Sequence, residues 1–72
     1  MIELNRAGIV EEGPLSGWWI KIQDIELPKG FLVSRARNAE MDQTLILDGI
    51  FPTRAALEAF LKREGVTIVD PA

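Results

Sequence analysis

Hydrophobic and polar residues alternate most regularly between Trp18 and Arg37. Before the break at Leu27-Pro28-Lys29-Gly30, Trp18, Ile20 and Ile22 interleave with Trp19, Lys21 and Gln23. After it, Leu32, Ser34 and Ala36 interleave with Phe31, Val33, Arg35 and Arg37. A period of two marks a strand with unlike faces, so the stretch predicts a β-hairpin. Pro28 suits the first corner of a type I turn and Lys29 the second. Gly30 then takes the left-handed position that closes a three-residue loop. This loop pairs Leu27 with Phe31, Ile25 with Val33, Gln23 with Arg35 and Lys21 with Arg37.

Opposed residues share a face of the sheet. One face then holds Trp18, Ile20 and Ile22 with Leu32, Ser34 and Ala36. The other holds Trp19, Lys21, Gln23 and Ile25 with Phe31, Val33, Arg35 and Arg37. A loop one residue shorter or longer would mix Arg35 and Arg37 with Ile20 and Ile22. That conflict is the reason for the three-residue reading.

The pattern elsewhere is shorter. Ile2 and Leu4 alternate with Glu3 and Asn5 as a first strand, which Gly8 interrupts before Ile9-Val10. Residues 11–17 have the acidic, glycine-rich composition of a solvated and poorly ordered connection. The polar segment 38–43 makes a second turn, pairing Arg37 with Thr44. A further strand, 44–51, then places Leu45 and Leu47 on the Ala36 face and Ile46, Asp48 and Ile50 on the Arg35 face.

Phe51-Pro52-Thr53 announces a helix over 54–64. Thr53 is its N-cap, and Leu57, Phe60 and Leu61 form the apolar stripe. Glu58 and Lys62 make a favourable pair, Lys62 and Arg63 sit at the negative end of the dipole, and Gly65 is the stop. Val66 to Val69 reads as a last strand. The expected fold is α+β and a single domain spanning 1–72. An antiparallel sheet of four to five strands, in the order β-β-β-β-α-β, carries the one helix on one face. The helix stripe would cover Trp18, Ile20, Ile22, Leu32, Leu45 and Leu47, with Ile68 and Phe51 at the ends.

Composition narrows the chemistry. The chain has no cysteine and no histidine, which excludes disulfides, thiol and serine–histidine nucleophiles, and the commonest zinc ligands. Ser16 and Ser34 have no lysine three residues on. The carboxylates Asp24, Glu26, Glu40, Asp42 and Asp48 have no metal-loop spacing. No enzyme activity, cofactor, metal or small-molecule substrate is therefore expected. A net charge of −3 disfavours bulk attraction to nucleic acid or anionic membrane. No apolar run is long enough to span a bilayer, and the first residues lack a signal-peptide pattern, so the expected location is cytoplasmic.

One helix leaves one sheet face uncovered. On the expected register that face carries Trp19, Lys21, Phe31, Arg35 and Arg37, the candidate binding residues, among Ile25, Val33, Ile46 and Ile50. A patch of that kind predicts a non-enzymatic protein-interaction domain, inhibitor-, immunity- or adaptor-like, that binds a protein partner or a second copy of itself. The alternative is a single-stranded nucleic-acid binder that stacks bases on Trp19 and holds phosphates with Lys21, Arg35 and Arg37.

Overall fold

Two short strands, β1 (Ile2–Glu3) and β2 (Gly8–Ile9), precede the long hairpin of β3 (Trp19–Glu26) and β4 (Lys29–Ala36). Strand β5 (Leu45–Phe51), helix α1 (Arg54–Arg63) and strand β6 (Ile68–Val69) follow. The structure is a computed structural model that describes residues 2–69. Strands β2-β3-β4-β5 form a four-stranded antiparallel sheet, and β1 pairs with β6 in a separate parallel two-stranded ribbon. The fold is a small α+β one, a four-stranded antiparallel sheet with one helix, as the alternation and the single helical stripe predict, while the final strand pairs with β1 outside that sheet.

The helix forms as its sequence dictates. Thr53 is extended at φ −132°, and its Oγ1 accepts from the Ala56 amide at 3.2 Å, satisfying one unpaired first-turn donor. At the other end Gly65 is left-handed at φ +75°. The Gly65 amide donates to the Lys62 carbonyl at 3.1 Å and the Val66 amide to the Leu61 carbonyl at 2.8 Å. These two bonds make a Schellman stop, and the buried Val66 and Leu61 supply its hydrophobic contact. Leu57, Phe60 and Leu61 face inward, and Glu58 is held by Arg54 at 3.3 Å.

The hairpin differs from expectation at its turn. Leu27 and Pro28 alone connect the strands, through a cis peptide, and Glu26 pairs directly with Lys29. Pro28 thus occupies the second corner of the turn, the position it takes in type VI geometry, and not the first. Ile25 consequently meets Gly30 instead of Val33, Ile22 meets Val33, Ile20 meets Arg35 and Trp19 meets Ala36. The offset of three positions is odd, so every β4 side chain changes face relative to β3.

Gly30 therefore has another task. It lies within β4, and a Cβ there would stand 2.6 Å from the Phe51 carbonyl oxygen. The missing side chain lets the β5 backbone approach.

The β4–β5 pairing also differs from expectation, by one position, which leaves β5 on its expected face relative to β3. Arg35 pairs with Leu45, Ser34 with Ile46, Leu32 with Ile50 and Phe31 with Phe51. Between the inner pairs, Val33 alone opposes Leu47, Asp48 and Gly49. Asp48 and Gly49 are both left-handed (φ +56° and +74°), which throws the extra residues out as a bulge. Two inserted residues preserve parity, so Ile46 and Ile50 stay on one face. Asp48 reaches Arg63 of α1 at 3.7 Å, and the Phe51 and Phe60 rings lie 5.0 Å apart. Both contacts tie β5 to the helix.

The core is accordingly Ile2, Val10, Leu15, Ile20, Ile22, Val33, Leu57, Phe60, Leu61 and Val66, with Leu4, Phe31, Leu47, Phe51 and Ile68 at its margin. Val33 and Phe31 replace the expected Leu32. Trp18 and Leu45 lie outside it, at the end of the sheet. Segment 11–17 is also a correction. Leu15 is buried in the core, and the amides of Ser16, Gly17 and Trp18 donate to the carbonyls of Gly13, Val10 and Leu15 at 2.9–3.0 Å. Its acidic residues are exposed, but one leucine anchors the loop.

Candidate functional site

The face of the sheet away from α1 holds Ile9 on β2, Trp19, Lys21, Gln23 and Ile25 on β3, Leu32, Ser34 and Ala36 on β4, and Ile46 and Ile50 on β5. Alternation alone decides this, because the partners of each residue share its side. Ile9, Ile46 and Ile50 are 45%, 58% and 43% exposed, while Ala36 is fully buried and Ser34 nearly so. The small residues lie where Trp19, Lys21 and Ile46 are their cross-strand neighbours, so the larger side chains spread over them. The result is a flat apolar surface with one cation, Lys21, and no carboxylate among its described residues.

Of the expected binding residues, only Trp19 and Lys21 lie on this face. Phe31 turns inward beside Phe51 at the margin of the core. Arg35 and Arg37 lie on the helix side of the sheet, against Trp18. The aromatic and basic group Trp19–Lys21–Arg35–Arg37 is therefore split across the sheet, a direct consequence of the two-residue turn. Ile9 and Leu32 join the face, and Ile46 and Ile50 lie on it as expected. Ile46 and Ile50 carried a legible signal, since alternation sets both on the face opposite Leu47 and Phe51. Ile9 was legible only as part of a strand.

No protein family, curated protein or solved structure matches this chain. The site is therefore read from its own geometry.

Mixing Arg35 with Ile20 is the conflict that a short loop was expected to create, and Trp18 resolves it. Trp18 stands on the same side as Ile20 and Ile22, across from Arg37. The guanidinium carbons of Arg35 and Arg37 lie 4.3 and 3.7 Å from the centroid of its ring. The indole supplies an electron-rich surface where the core has no anion to offer. Trp18 was expected in the core and Trp19 at the binding face. Trp18 instead shields two cations, and Trp19 keeps its place on the open face.

A pocket of about 430 Å³ opens beside this cluster, lined by Trp18, Arg37, Asn38, Asp42, Gln43, Thr44 and Leu45. Asn38 shapes its rim, because its Oδ1 accepts from the Asp42 amide and its Nδ2 donates to Asp42 Oδ2, both at 3.3 Å. Among the described residues no group of three or more carboxylates, histidines or cysteines is placed to hold a metal ion. Nor is any helix of the described residues long and apolar enough to cross a membrane.

Proposed function

We propose that the protein is a non-enzymatic interaction domain that docks onto a protein surface through the sheet face of Ile9, Trp19, Leu32, Ile46 and Ile50. The observation that carries this reading is the exposure of three isoleucines on one continuous face that no described element of the chain covers. Contiguous apolar surface of this kind marks interaction sites on small proteins. The edge of the sheet is a poorer docking place. The bulge at Asp48-Gly49 interrupts the free side of β5, and charge and bulges are the devices that blunt edge pairing.

A second copy of the chain suits the face well. Lys21 is its one charged residue, so face-to-face packing at the ~10 Å spacing of stacked sheets brings little like charge together. A cytoplasmic setting belongs to the same proposal, since a cysteine-free chain needs no oxidising compartment to fold.

In a Trp18→Phe background, Trp19 alone reports on the face. Its emission is expected to shift to the blue as protein concentration rises, and an Ile46→Lys change is expected to abolish the shift. Emission independent of concentration would count against self-docking. The docking face offers the nucleic-acid alternative only Trp19 and Lys21, since Arg35 and Arg37 lie on the other side of the sheet.

A further inference from the structure

Arg35 and Arg37 are two cations with no anion beside them among the described residues. No carboxylate among the described residues lies within ion-pair distance of either guanidinium, although Glu3, Asp48 and Glu58 each have a basic partner. Their guanidinium carbons are no more than about 8 Å apart, the sum of their two distances to the Trp18 ring. One nitrogen, Arg35 Nε, is buried with no hydrogen-bond partner. An unmatched buried donor is costly, and two neighbouring like charges add repulsion. Trp18 offsets part of this cost. A bound dianion would offset the repulsion between the two guanidinium groups.

We propose that Trp18, Arg35, Arg37 and the 38–45 loop form a binding site for a small phosphate monoester. Arginine's planar fork matches phosphate oxygens two at a time, and the roughly −2 charge of a monoester balances two arginines better than a single carboxylate would. The adjoining pocket supplies room for the ester's organic body, at a volume within the ~300–1,000 Å³ range of small-molecule sites. Its lining fits a polyol or a nucleoside: Asp42, Asn38, Gln43 and Thr44 present acceptors and donors, and Leu45 presents an apolar wall. The site lies on the helix side of the sheet, so it is independent of the docking face proposed above.

Two-dimensional NMR of the full chain, following the arginine Nε–H and tryptophan Nε1–H signals at low salt, tests this. Ribose 5-phosphate and adenosine monophosphate are titrated alongside inorganic phosphate, acetate, adenosine and a short single-stranded oligonucleotide without a terminal phosphate. Saturable shifts of the Arg35, Arg37 and Trp18 signals are expected with both esters, and weaker binding with phosphate alone. Arg37→Gln, a change at an exposed side chain, is expected to weaken ester binding by about tenfold or more, in line with the loss of a charged hydrogen-bond donor. Its melting temperature should fall by no more than the loss of one exposed cation–π contact implies, and the protein should stay folded. A preference of the pair for the nucleotide over the sugar phosphate would assign the pocket to the base. Equal binding would assign it to the sugar. Signals unmoved by any monoester, shifts matched by acetate, or affinity untouched by Arg37→Gln would overturn the proposal. Tighter binding of the oligonucleotide than of either monoester would overturn it too, in favour of a polymeric ligand.

Discussion

Adding one methyl group at Gly30 tests the seam between β4 and β5. A Cβ there would lie 2.6 Å from the Phe51 carbonyl oxygen and 3.0 Å from Ile50 Cγ2. The oxygen belongs to backbone, so relief requires moving β5 away at the Phe31–Phe51 pair. Overpacking of this sort costs about 1–3 kcal/mol. For 72 residues, total stability is on the order of 4–11 kcal/mol at typical per-residue values. A loss of about 2 kcal/mol in a domain of this size lowers the melting temperature by about 8–16 °C.

Thermal unfolding followed by circular dichroism reads the change directly. Gly49→Ala is the control, because it is left-handed at φ +74° with nothing within 4 Å of the added carbon. It should cost only the backbone penalty of about 1–2 kcal/mol. Gly30→Asn separates the two accounts of the hairpin. If Gly30 closed a three-residue loop, asparagine would tolerate the left-handed turn and restore most of the stability. With Gly30 inside β4, asparagine must fail at least as badly as alanine. A Gly30→Asn protein as stable as the wild type would refute the two-residue turn and every face assignment derived from it.

Other consequences are simpler. Thr53→Ala removes the cap on the Ala56 amide and should cost about 1 kcal/mol in urea unfolding, without altering the m-value. Leu57→Ala empties a fully buried position under the sheet and should cost about 2–5 kcal/mol, enough to leave a measurable unfolded fraction at room temperature. A double-mutant cycle between Trp18 and Arg35 should return a coupling of about 0.5–2 kcal/mol, whereas the same cycle between Trp19 and Arg35 should return none.

The helix was legible in full because each of its signals is local. Thr53, the 57/60/61 stripe and Gly65 act within a turn or two of the chain, and all three behave as the residue types require. The existence of β3, β4 and β5 was legible for a related reason, since alternation requires only neighbouring residues.

Face assignment is a different problem. It hangs on one register, and the register hangs on whether Pro28 takes the first or second corner of the turn. Both corners are compatible with Leu-Pro-Lys-Gly. The expected objection to the short turn, cations among isoleucines, was physically sound but incomplete. It overlooked that Trp18 sits across from Arg37 once the shift is made, and that an indole can receive the guanidinium groups. The Asp48-Gly49 bulge was hidden too, because a two-residue insertion leaves the alternation of Ile46 and Ile50 intact. Leu15 was masked by the acids and glycines around it, although a lone leucine in a polar loop is a reasonable sign of an anchor.

An apolar face survived the error in register, since β5 offers a hydrophobic residue at nearly every position. Its β3 and β5 members survived as well, and only the β4 members Phe31, Val33 and Arg35 gave way to Leu32, Ser34 and Ala36. Docking onto protein through Ile9, Trp19, Leu32, Ile46 and Ile50 is read out by sedimentation velocity across a wide concentration range. The wild-type chain is predicted to shift from monomer to dimer as concentration rises. The Ile46→Lys/Ile50→Lys variant, altered only at exposed positions, should stay monomeric with an unchanged circular dichroism spectrum. A wild-type chain that sediments as a monomer throughout, or a variant that associates as readily as the wild type, would contradict it.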